Sequence, residues 1–71
     1  MNETTYINDM IKKRQLVVIR LLEGRDISAI PLSHDSEAII VKRKNTNELS
    51  LIYKKAISVI TPSGGIEETN E

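Results

Sequence analysis

The chain has 71 residues, with ten Lys and Arg against ten Asp and Glu, one His and no Cys. A domain of this length buries only about 60% of the surface its unfolded chain exposes. Without cysteine, neither disulfides nor thiolate metal sites can supplement the core, and one His among scattered carboxylates makes no ligand cluster. No run approaches the roughly 20 apolar residues of a membrane helix, and the polar start lacks a basic segment feeding an apolar signal core. Self-association remains as the common route to stability, and the cytoplasm is the expected location. The zero net charge is unevenly spread: residues 10 to 61 hold all ten cations but only the acids Glu23, Asp26, Asp35, Glu37 and Glu48. Glu3, Asp9, Glu67, Glu68 and Glu71 lie towards the ends. A basic body between acidic extremities is compatible with a polyanionic partner.

Tyr6, Ile7, Met10 and Ile11 recur at helical spacing and predict one amphipathic helix over about residues 4 to 14, with Thr4 or Thr5 as N-cap and Asp9 towards the favourable end of the dipole. Lys12, Lys13 and Arg14 fall in its last turn, where cations oppose the partial negative charge of the unpaired carbonyls. From Leu16 the period becomes two. Val17, Ile19 and Leu21 share one face, Leu16, Val18, Arg20 and Leu22 the other, and the "EGRD" turn places Gly24 where positive φ is needed.

A second strand is predicted from Asp26 to Leu32, with Pro31 confined to a bend, bulge or edge because it cannot donate to a ladder. After "SHDSE" comes "AIIVKR", apolar enough for burial on both faces. "KNTNE" turns the chain into "LSLIY", and "ISVIT" forms the last strand before Pro62. Residues 64–71 are polar and acidic with little to bury, and are expected to form a disordered tail. The domain thus spans 1–63, with a barrel over about 16–62. A helix followed by five short strands describes a mostly β, strongly bent antiparallel barrel of SH3-like or OB type. The strands "LSLIY" and "ISVIT" could pair with another chain and close a ring.

Catalysis finds no support. There is no paired-carboxylate spacing, no phosphate-cradling Gly loop and no Ser-His arrangement that the turns would assemble. No catalytic residue, metal site or cofactor is assigned, and His34 by itself reads as a turn residue.

The segment "YKKAISVITPS", Tyr53 to Ser63, resembles the second Sm motif of the Hfq family, the bacterial Sm-like RNA chaperones. The helix, its basic exit, "LLEGRD", "SHD" and "IIVK" occur in that family's order across residues 6 to 63. The resemblance implies an Sm-like barrel assembled into a homohexameric ring through the fourth and fifth strands, with no catalytic centre. Such a ring binds single-stranded RNA, U-rich on the helix-bearing proximal face and A-rich on the distal face, and helps small regulatory RNAs meet messenger RNA.

Residue by residue, the resemblance makes Lys54 the pore-side donor to a uracil carbonyl or phosphate, with Tyr53 packing at the subunit boundary. Lys55 replaces the usual His, keeping a donor and adding charge but losing stacking. Ser36 can bond a base. Glu37 stands where a stacking side chain is usual, Glu3 falls near a uracil-contacting Gln, and His34 replaces a common Phe. Base stacking is worth about 1–3 kcal/mol, so these departures are expected to weaken U-specificity. On the distal face Arg20 replaces an adenine-stacking Tyr. Gly24 keeps the turn, Arg25, Ile27 and Ser28 line the following groove, and Ala29 takes a common Gly position. Lys12, Lys13 and Arg14 match a rim patch that contacts RNA. Lys42, Arg43 and Lys44, in a hairpin about three residues longer than the family's shortest, read as a solvated tip. The alternative function is an Sm-like ring that has lost its RNA pockets and binds protein partners.

Overall fold

A computed structural model describes residues 2–66, with the side chains of residues 65 and 66 excepted. It contains one helix, α1 (Glu3–Lys13), and five strands, β1 (Gln15–Leu21), β2 (Asp26–His34), β3 (Ala38–Arg43), β4 (Leu49–Tyr53) and β5 (Ile57–Ile66), with a single 3₁₀ turn at Lys54–Ala56 between the last two. The strands form one antiparallel sheet in the order β4-β3-β2-β1-β5. This is the mostly β, helix-then-barrel architecture expected from the sequence.

The helix begins one residue earlier than expected, and Asn2, rather than Thr4 or Thr5, is its cap: the Thr5 N–H donates to Asn2 Oδ1 at 2.8 Å. Asn in extended geometry serves this role as well as Thr. Arg14 ends the helix at φ 55°, where its N–H turns back onto the carbonyls of Ile11 and Met10. One face of α1 buries Ile7 and Met10 against Val17, Ile19 and Leu21 of β1, Ile27 and Ala29 of β2, Ile39 and Val41 of β3, and Ile52 of β4. Each such aliphatic side chain stabilises the fold by about 1.5–3 kcal/mol when fully buried. The Tyr6 hydroxyl adds a long-range tie to the Ile60 carbonyl at 3.3 Å.

Two expectations about individual residues hold. Gly24 has φ 106° and donates its N–H to the Leu21 carbonyl at 2.8 Å, closing the β1–β2 turn. Pro31 sits where the β2–β3 register shifts, between Pro31 and Ser33, so the bulge accommodates its missing donor. Others change. In β3, Ile39 and Val41 are buried but Ile40 is only half-buried in the single chain. Strand β5 continues past Ser63, with Ile66 opposite Gln15, and Gln15 Nε2 donates to the Ser63 carbonyl at 3.2 Å. Residues 64–66, expected in the tail, therefore belong to the ladder, because a neighbouring strand satisfies backbone groups whatever the side chains are. The rest of the expected tail, 67–71, lies outside the described residues.

Among the described residues, strands β4 and β5 end the sheet and each has one neighbour. On β4 the outward face carries Leu49, Leu51 and Tyr53, which are 68%, 54% and 57% exposed.

Candidate functional site

The 3₁₀ turn that follows β4 aims Lys54 at the start of α1 and the end of β2. Its Nζ lies 2.9 Å from Glu3 Oε2 and 2.9 Å from His34 Nδ1. An ammonium can only donate, so Nδ1 accepts and the imidazole proton sits on Nε2. That nitrogen then donates to Asn8 Oδ1 at 2.9 Å. A chain of contacts thus runs Asn8–His34–Lys54–Glu3, joining two turns of the helix to β2 and the 3₁₀ turn. Lys54 is only 16% exposed.

Lys54 also lines a cleft of about 290 Å³ together with Ser36, Glu37, Tyr53 and Lys55. The structure therefore gathers these proximal candidates at one cleft and attaches His34 to it through the Lys54 ammonium. Local backbone bonding positions the cleft wall. Asp35 Oδ1 accepts from the N–H groups of Glu37 (2.8 Å) and Ala38 (2.9 Å), while the Lys54 N–H donates to the Glu37 carbonyl at 2.8 Å. The bonds from Glu37 and Ala38 hold the Asp35 carboxyl below the usual carboxylate range, since they favour its charged form.

The distal candidates are arranged differently. Arg20 and Asp26 face each other across the β1–β2 hairpin, and the guanidinium donates from Nε to Oδ1 at 2.9 Å and from Nη2 to Oδ2 at 3.2 Å. This fork lowers the Asp26 pKa and raises that of Arg20, chiefly through the hydrogen bonds themselves. Arg25 pairs with Glu23 at 2.8 Å. Ser28 is exposed beside them. Ile27 is the correction: expected to line the groove, it is buried in the core, because the side chains of β2 alternate and its register opposite Ile19 turns it inward. Ala29 is buried too.

The rim candidates Lys12, Lys13 and Arg14 are all exposed. Lys13 pairs with Asp9 one turn back at 3.1 Å, an interaction of modest strength at the surface. In the β3–β4 hairpin, Arg43 donates to Ser50 Oγ at 3.0 Å and the Lys44 N–H to the Ser28 carbonyl at 2.9 Å, so this segment is tied to its own strands.

Sequence reasoning did not identify Asn8 or the carboxylate partners of the two principal cations. The Arg20–Asp26 pair had a usable signal, because a hairpin centred on Glu23 sets those positions opposite one another. The contacts of Asn8 and Glu3 had none, since they depend on where the helix docks. Among the described residues no group of three or more His, Cys, Asp or Glu could hold a metal ion, and no helix is long and apolar enough to cross a membrane.

Residues 3–67 match the family model described as Hfq protein. The RNA-binding protein Hfq of Clostridioides difficile is 32% identical over 66 residues, covering 93% of this chain and 76% of that protein. The RNA-binding proteins Hfq of Caldicellulosiruptor saccharolyticus and Caldicellulosiruptor bescii are 36% and 38% identical over 58 residues; the match covers 82% of this chain but only 58% and 62% of theirs. A crystal structure of the pleiotropic translational regulator Hfq superposes with a TM-score of 0.79 at 20% identity, over 83% of this chain and 95% of that one. At that identity the superposition shows a shared fold.

Proposed function

This chain belongs to the Hfq family, and on that premise we propose that it is a ring-forming, single-stranded RNA-binding protein of the cytoplasm that promotes pairing of small regulatory RNAs with messenger RNA. Its role is binding, without catalysis or cofactor. The observation that carries the reading is the extent of the family match, which spans the whole barrel and includes the Lys54 junction. Assembly supplies what a short chain with two open sheet edges lacks. The β4 edge of one protomer pairs with the β5 edge of the next, covering Leu49, Leu51 and Tyr53, in a head-to-tail contact that closes as a homohexamer. Because Lys54 directly follows β4, each repeat of that contact brings another Lys54 towards the axis, while Lys12, Lys13 and Arg14 repeat around the rim.

On the proximal face, Lys54, Lys55 and Ser36 offer donors to U-rich RNA, with Tyr53 at the boundary, and Glu37 in the position of a stacking side chain lowers selectivity. On the distal face, Arg20, Gly24, Arg25 and Ser28 form the surface for A-rich RNA. Titration of short U-rich, A-rich and mixed RNAs at several salt concentrations tests the reading: binding through several phosphates weakens steeply as salt rises. A second reading has its own support, since both Lys54 and Arg20 are already paired with carboxylates of the same chain. In that case the ring is a scaffold for protein partners, and saturable RNA binding is absent even at low salt.

A further inference from the structure

The Lys54 ammonium has three N–H donors, of which one is directed to Glu3 and one to His34. Among the described residues the third donor meets no partner and is left for a ligand, and the charge behind it is balanced by the Glu3 carboxylate. The two resident partners differ in how firmly they are held. His34 is fixed from behind by Asn8 and sits at the end of a strand. Glu3 is the first residue of α1, its side chain is 65% exposed, and rotation about its own bonds can withdraw it.

We propose that Glu3 is a resident anion that competes with RNA phosphate for Lys54, so that this chain uses Lys54 as a charge-compensated hydrogen-bond donor to a neutral base carbonyl instead of as a counter-charge to the backbone. The inference rests on the RNA-binding reading above and deepens it. A compensated lysine adds to affinity through one hydrogen bond but releases no counterion, whereas a lysine facing phosphate contributes to the salt dependence. Glu3 thereby sets the balance between base recognition and backbone attraction at the cleft.

The test follows binding of a short fluorescent oligouridylate to the full chain over a range of salt. Wild type, Glu3→Gln, Lys54→Met, the double variant and Glu48→Gln are compared, with circular dichroism confirming the fold of each. Glu48 lies in the hairpin between β3 and β4, touches neither the cleft lining nor the Lys54 contacts named above, and loses the same charge. Glu3→Gln is expected to tighten binding at low salt about two- to fivefold per site, the range of an ion pair whose carboxylate stands in solvent, and to steepen the plot of log K against log salt by about 0.7 per Lys54 engaged. Lys54→Met is expected to weaken binding with the wild-type slope unchanged, and in the double variant the gain from Glu3→Gln disappears. Unchanged or weaker binding by Glu3→Gln overturns the inference while leaving RNA binding intact, as does equal tightening by Glu48→Gln. A Lys54→Met slope shallower than wild type overturns it without recourse to any Glu3 variant. Absence of saturable binding by every protein removes both the inference and the RNA-binding reading beneath it.

Discussion

Lys54 and Arg20 are both cations engaged by a carboxylate of their own chain, yet they are built in opposite ways. The partners of Lys54 come from far along the sequence, from the start of the helix and the end of β2, and they hold a largely buried ammonium at a cleft. The partner of Arg20 is six residues away across one hairpin, and both groups are well exposed. Tertiary packing thus determines the geometry of the first, and local strand register that of the second. A group positioned by several elements keeps its geometry when a ligand arrives, and Lys54 keeps one donor available. The guanidinium fork of Arg20 is occupied on one side and must exchange Asp26 for any new partner.

The largest expected effect separates the two regions through the core. Ile39 is fully buried and pairs with His34 on one side and Ile52 on the other. Ile39→Ala should destabilise the protein by about 2–5 kcal/mol, measured by urea unfolding, and should disturb the Lys54 cluster more than the Arg20 hairpin. Oligouridylate binding then falls by more than the unfolded fraction explains.

Next in size is the direct comparison. Lys54→Ala is expected to weaken oligouridylate binding about tenfold or more, the scale of a hydrogen bond from a charged group, while leaving assembly in place. Arg20→Ala should change it less than about twofold, within the reach of surface electrostatics, and act mainly on A-rich RNA. Equal losses in the two variants would erase the distinction between the faces.

A smaller effect targets the hairpin alone. Gly24 stands at φ 106°, so Gly24→Ala should cost about 1–2 kcal/mol through backbone strain, seen as a lower melting temperature, with Lys54-dependent binding retained. Last is the response to acid. Asp35 and Asp26 both titrate below the usual carboxylate range, Asp35 because it accepts backbone N–H bonds and Asp26 because it accepts the Arg20 fork. A depressed folded-state pKa means that the stabilisation is fully present above the unfolded value and is lost as pH falls through the folded one. Melting temperature should decline as pH drops below the ordinary carboxylate pKa. The decline should be shallower in Asp35→Asn and in Asp26→Asn, each of which removes one of the two groups.

The same division explains what could be read from the sequence. Val17, Ile19 and Leu21 announce the inward face of β1, Gly24 its turn and Pro31 its bulge, because each is a local steric or periodic constraint. The cap is not legible in this way, because Asn2, Thr4 and Thr5 are all competent cap residues and only helix docking selects among them. The end of β5 is hidden too, because residues 64–66 join the sheet through backbone pairing, which composition does not report. The resemblance places Ile27 at the surface, although its alternation with Ser28 argues for the interior. The cleft candidates Ser36, Glu37, Tyr53, Lys54 and Lys55 do meet, but the Glu3, His34 and Asn8 contacts that define the state of Lys54 depend on packing between distant segments.

The pore-side role proposed for Lys54 requires copies of the β4–β5 junction to be brought together. Sedimentation equilibrium on a dilution series of the intact chain measures this most directly. A closed hexamer that resists dilution and loses its folded signal when it finally dissociates is the expected result. A well-folded monomer that remains stable at high dilution would contradict it.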